Sequence, residues 1–158
     1  MDIFSHALWG GGLFGYRHHF WWAIFFGAFP DLASFGLFAI VSIISGTFTP
    51  GPPPLDIIPS WVFLSYNFTH SFIIAFITIG IISLWKKSFA FAMFGWPFHI
   101  CLDFPFHSLQ YFPTQLFWPL SDFVVDGIPW DNPWIWFPNF AGILVLFSWR
   151  WYTERGYK

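Results

Sequence analysis

The chain has 158 residues, of which 56% are hydrophobic, 27% aromatic and only 9% charged, with a formal net charge of −2. Soluble domains carry about 25% charged residues, and 25 Phe and 12 Trp exceed what a core of this size can bury, so lipid is expected to cover many of them. With no basic patch to neutralise phosphates, nucleic-acid binding is excluded, and a lone cysteine, Cys101, excludes an internal disulfide and a cysteine-based metal site.

In chain order, the first apolar run covers residues 3–16 and is rich in glycine. It follows Met1-Asp2 without the basic segment of a cleaved signal peptide, so a retained short helix is expected. A second run, 20–45, is interrupted near Pro30-Asp31. Residues 46–60 carry Pro50, Pro52, Pro53, Pro54 and Pro59 and read as a stiff extended loop. A third helix is expected over 60–85, a fourth over 88–104 ending before Pro105, and a fifth over 134–152. Between the last two, residues 105–133 mix Trp118 and Trp130 with prolines and Asp122, Asp126 and Asp131, a composition suited to a membrane–water interface. That connection reads equally well as a functional loop or an inert cap. The expectation is one all-α domain over 1–158, a polytopic membrane bundle of about five embedded helices with two long outward loops.

Every Lys and Arg then falls on one side: Arg17, Lys86, Lys87, Arg150, Arg155 and Lys158. The positive-inside rule makes that side cytoplasmic, with the N-terminus and both long loops outside, in a multi-pass plasma (inner) membrane protein of prokaryotic type.

Against this apolar background stand His6, Asp31, His70, His99 and Asp103. Ionisable groups inside a membrane are costly and usually functional, and three imidazoles with two carboxylates form a ligand set suited to zinc. Counted at about 1.5 Å per residue, the five lie about 15 to 22 Å above the cytoplasmic ends of four helices, in one layer. His99 and Asp103 are four apart and share a helix face. Singly, each has an ordinary explanation, such as an interhelical hydrogen bond or a helix cap for Asp31. Together, two buried carboxylates beside three imidazoles are better explained by a cation. His18 and His19 read as interfacial. His107, past Pro105, reads as a proton shuttle, a substrate contact or a surface residue. Ser5, Thr69 and Ser71 flank the imidazoles and can orient them or bond back to a helix carbonyl.

Ser5-His6-Ala7, Gly27-Ala28-Phe29-Pro30-Asp31, Phe68-Thr69-His70-Ser71, His99-Ile100-Cys101-Leu102-Asp103 and Leu116-Phe117-Trp118-Pro119 occur in this order. Over roughly residues 1–150 this resembles the predicted membrane-bound metal-dependent hydrolases, a family also described as LexA-binding inner-membrane-associated hydrolases. That family is distantly similar to zinc-dependent phospholipase C. The resemblance implies His6, Asp31, His70, His99 and Asp103 as metal ligands. Two departures stand out: Ser34 occupies a position where relatives often have a second acidic residue, and Ser65-Tyr66-Asn67 stands where many carry His-Arg.

The expected function is hydrolysis of an ester or phosphoester, small or lipid-borne, near the outer leaflet. Water would be activated by one or two zinc ions, with manganese as the alternative, and Asp31 or Asp103 would serve as general base. The rival readings are an intramembrane metal-ion or proton transporter and a metal-stapled membrane adaptor without catalysis. The lipid bilayer is the expected partner; no protein partner is legible.

Overall fold

The computed structural model describes the backbone of residues 1–156 and the side chains through Thr153. Eight α-helices occur in it: α1 (Ile3–Phe14), α2 (Phe20–Asp31), α3 (Leu37–Ile44), α4 (Ser60–Thr69), α5 (Phe72–Ser83), α6 (Lys87–Ala92), α7 (Gly95–Asp103) and α8 (Pro133–Gly156). No strand occurs among the described residues.

The expected polytopic five-helix membrane bundle is not what forms. Among the described residues only one helix, the continuous Phe20–Ile44, is both long and apolar enough to cross a membrane. A second joins it only if α4 and α5 are counted as one span, and these are bent by 56° at their junction. The physical reasons are local. At 12 residues α1 is too short to cross, since a span needs about 20. The fourth expected helix divides near Met93–Phe94 into α6 and α7, of 6 and 9 residues. Helix α8 has the length, 24 residues, but Pro138, Asn139, Arg150 and several Trp lower its mean hydropathy. Of the six basic residues used to orient the chain, Lys158 and the side chain of Arg155 lie outside what is described.

Continuity from α2 to α3 runs through a π-turn at Leu32–Gly36. Pro30 contributes no N–H to the ladder, and the wider turn frees its carbonyl, which accepts hydrogen bonds from Ser34 Oγ at 2.8 Å and Thr69 Oγ1 at 3.3 Å. Single π-turns of this kind recur at functional sites; here it directs Asp31 toward α4 and α7.

Helices α1, α2 and α7 approach one another at glycines. A Cβ on Gly10 would lie 2.5 Å from the Ala23 carbonyl oxygen, and one on Gly27 would lie 2.4 Å from that of His6. Backbone against backbone leaves no flexible side chain to yield. The start of α1 is fixed by Asp2, whose carboxylate accepts from Ser5 N at 2.9 Å and Ser5 Oγ at 2.6 Å, an N-cap. Its end is held by Arg150 of α8, which donates to the Gly12 carbonyl at 2.8 Å. Two apolar clusters surround the centre: Phe26, Ala75, Ile79, Met93, Trp96 and Ile100 on one side, and Ile58, Val62, Tyr66 and Phe112 on the other.

Candidate metal centre

His6, Asp31, His70, His99 and Asp103 converge. His6 comes from α1, Asp31 from the last residue of α2, and His99 and Asp103 from successive turns of α7. His70 differs from its expected place inside a helix: it sits in the break between α4 and α5, where Ser71 caps α5. The break is covered by the long connection after α7. Ser71 Oγ donates to the Trp118 carbonyl at 2.6 Å, and Phe72 N donates to that of Leu116 at 2.9 Å.

Asp31, His70, His99 and Asp103 each offer one ligand atom, and the four atoms lie within 4.8 Å of one another. His70 Nε2 is 3.1 Å from His99 Nε2 and 3.4 Å from Asp103 Oδ2, and His99 Nε2 is 3.0 Å from that same oxygen. Asp31 Oδ1 stands 3.9 Å from His70 Nε2 and 3.8 Å from His99 Nε2. Four ligands bound tetrahedrally at about 2.0–2.1 Å are separated from one another by about 3.3–3.4 Å. The measured edges bracket that value, so the cluster can hold a metal ion.

The proton positions sharpen the fit. His70 Nδ1 faces the Tyr66 carbonyl at 3.0 Å, and His99 Nδ1 faces that of Gly27 at 2.7 Å. A carbonyl only accepts, so each Nδ1 carries the proton and each Nε2 presents a lone pair. Two lone pairs 3.1 Å apart beside a carboxylate oxygen repel one another unless a cation lies between them. Asp103 Oδ2 is buried with no hydrogen-bond donor, as is His6 Nδ1. Burial holds the His99 imidazole at a pKa of about 4, with the adjacent His6 adding to the effect, so it is neutral at physiological pH.

Asp103 is fully buried. Burial alone would raise its carboxyl, but His6, the amino group of Met1 and His99 together hold it well below the ordinary carboxylate range. His6 Nε2 lies 2.9 Å from Asp103 Oδ1, close enough to pair but not aligned as a hydrogen bond. The His6 ring stacks on His99 with centroids 3.7 Å apart, and the Met1 amino group also contacts Asp103 Oδ1. Burial likewise lowers the His6 pKa, against the pull of Asp103.

The centre is open on one side. A cavity of about 710 Å³ reaches Asp31 and His107, within the usual range of about 300–1,000 Å³ for ligand pockets. His107 Nε2 is 3.6 Å from Asp103 Oδ2, and its Nδ1 is 2.9 Å from the Phe112 carbonyl. Behind it the buried Tyr66 hydroxyl lies 3.0 Å from Thr114 Oγ1 and 3.3 Å from His107 Nδ1. His18 and His19 do not join the cluster.

Two kinds of contributor were not legible in the sequence. Tyr66 and Thr114 carry no spacing signal, because they meet only when the 105–132 connection folds over α4. The Gly27 and Tyr66 carbonyls that orient the imidazoles are backbone groups that no motif records. Compared with protein-family models, curated proteins and solved structures, the chain matches none.

Proposed function

We propose that this protein is a metal-dependent hydrolase acting on an ester or phosphoester bond, with a divalent cation, zinc first and manganese second, held by Asp31, His70, His99 and Asp103. One observation carries the reading: two imidazole lone pairs and two carboxylate oxygens are aimed at one point beside an open cavity. The reaction class agrees with the one the order of the sequence motifs implies. A cation there would lower the pKa of a bound water and polarise the substrate oxygen.

The residues of the chain divide the remaining work. Asp103 is enclosed and serves as a ligand, which His6 steadies. Asp31 borders the cavity, so its second oxygen is placed to take a proton from water. His107 stands at the mouth, where it can pass that proton to the leaving group. The transporter reading has less support, because the other cavity described, lined by His19, Trp22, Lys86 and Lys87, includes no residue of the cluster. The non-catalytic staple calls for a closed shell, whereas this site borders open space.

The lipid bilayer is proposed as the setting. Phe20–Ile44 is apolar, with only 22% of its most apolar window buried. Trp134, Phe4, Leu120 and Ile44 are each more than three-quarters exposed. Arg17, Lys86, Lys87 and Arg150 gather at the end away from the cavity, where Ser88 Oγ donates to the Arg17 carbonyl. By the positive-inside rule that end is cytoplasmic.

The test is metal content of the purified full-length protein by inductively coupled plasma mass spectrometry, beside His70→Ala and His99→Ala. The expected outcome is one to two zinc or manganese ions per chain, falling below one-tenth of that in both folded variants. Wild-type protein that takes up no stoichiometric metal on reconstitution overturns the proposal.

A further inference from the structure

The cavity that reaches Asp31 and His107 has walls of one kind and a floor of another. Phe35, Phe38, Ala39, Phe48, Ile57 and Trp130 line it with hydrocarbon and aromatic surface. Its charged groups lie at the end against the metal centre, apart from Asp131, an exposed residue; the rest of its polar lining is hydroxyls, of Ser42, Thr47, Thr49, Ser108 and Tyr111, and those of Thr47 and Tyr111 already donate to the Ser42 and Pro53 carbonyls. An occupant that matches both parts is an amphiphile with a long apolar chain along the walls and one polar group at the centre. Burial of the apolar chain supplies its affinity.

Charge narrows the polar group. No Lys or Arg lines the cavity, whereas Asp2, Asp31 and Asp131 do. The nearest cationic group, the Met1 amine, is engaged by Asp103. A divalent cation offsets Asp31 and Asp103, but Asp2 and Asp131 remain to oppose a second anion. Phosphate recognition ordinarily draws on Arg or Lys, and a carbonyl ester needs neither.

The geometry points to an uncharged long-chain carboxylic ester as the ligand of this cavity, its hydrocarbon chain lying along Phe35, Phe38 and Phe48 and its carbonyl at the Asp31–His107 end. This rests on the hydrolase reading and chooses within it the carboxylic over the phosphoric ester. In the reaction a water oxygen bonds to the acyl carbon and the C–O bond to the alcohol breaks. The proton taken up by Asp31 passes to the departing alkoxide, and the products are one carboxylic acid and one alcohol.

The experiment is native mass spectrometry of the zinc-reconstituted full chain with two probes that hold no hydrolysable ester bond, uncharged 1-O-hexadecylglycerol and anionic hexadecylphosphonate, in which a C–P bond replaces the phosphate ester. The expected result is one ether bound per chain, with hexadecylphosphonate at least tenfold weaker. Ala39→Trp, which fills the slot, should weaken the ether at least tenfold with zinc content unchanged. The exposed Asp131→Lys, which leaves the walls intact, should narrow the preference against the phosphonate and serves alone if Ala39→Trp does not fold. Equal ether binding by folded Ala39→Trp, tighter binding of the phosphonate by wild type, or an unchanged preference in Asp131→Lys overturns the inference. Ether bound at one per chain without zinc would retain the cavity assignment and remove the hydrolase reading; zinc without ether would do the reverse.

Discussion

An imidazole buried beside a carboxylate has two ways to lower its energy: take a proton and form an ion pair, or stay neutral and lend its lone pair to a cation. The backbone decides for His99. The Gly27 carbonyl fixes the proton on Nδ1, and burial resists a second one, so protonation waits until about pH 4. The unfolded chain protonates the same residue near 6.5, so below that pH the unfolded state binds the extra proton and the folded state does not. The contribution of His99 to the stability of the metal-free protein is therefore expected to fall as pH drops from about 6.5 to about 4, and to stay constant below, where the depressed Asp103 carboxyl takes over the decline. His99→Gln should flatten part of that slope, as read from denaturant midpoints at pH 7, 5.5 and 4.5. An unaltered slope in the variant would show that this imidazole is not held neutral by the fold. At this scale the sequence was informative about the cluster that can hold a metal, Asp31, His70, His99 and Asp103, because His and Asp are conspicuous among Phe and Ile. It was silent about the orienting partners, which are main-chain oxygens common to every residue.

Between elements, the site depends on how closely α1, α2 and α7 approach. Gly27 serves twice: its missing side chain admits the His6 backbone, and its carbonyl orients His99. A methyl at that position must push α1 away from α2 and carry His6 with it. Gly27→Ala is expected to weaken zinc binding by about 10- to 100-fold, the cost usual for disturbing groups that orient ligands, measured by competition with a chromogenic chelator. Unchanged affinity would mean that α1 adjusts without moving the site. The helices were legible where apolar runs are long, as in 20–44, and misread where a run contains a break. The 60–85 run looks continuous in composition, yet the chain turns at Thr69-His70-Ser71. There the Ser71 hydroxyl binds the Trp118 carbonyl outside its own helix, and the Thr69 hydroxyl bonds back to the Ser65 carbonyl of α4 at 2.8 Å, side-chain bonds that compete with helix continuation. The 88–104 run breaks for a related reason, since Gly95 and Pro97 weaken the ladder near Phe94.

Over the whole molecule, polarity is divided between two ends. Arg17 and Arg150 stack on Phe91 and Tyr16 at one end, with ring-centroid distances of 4.2 and 4.1 Å, and the aspartate-lined cavity lies at the other. A chain so arranged, with Leu84, Trp134 and Tyr152 each about three-quarters exposed or more, should sediment with membranes and stay there through an alkaline carbonate wash. Release into the supernatant would show that the apolar exterior is covered by something other than a bilayer. Composition made the exposed apolar exterior legible, but not the lengths of the helices, because these depend on breaks that composition averages away. One further consequence lies in the proline-rich connection at residues 46–59. Asp31 precedes it, and His70, His99 and Asp103 follow it. A cation at the centre would thus be a clasp between two stretches of chain that the covalent backbone joins only through an exposed strap. Removing the ion would then do more than silence chemistry, since it would take away one tie between those stretches and leave the glycine contacts of α2 with α7 and the Arg150 bond to α1 to hold them.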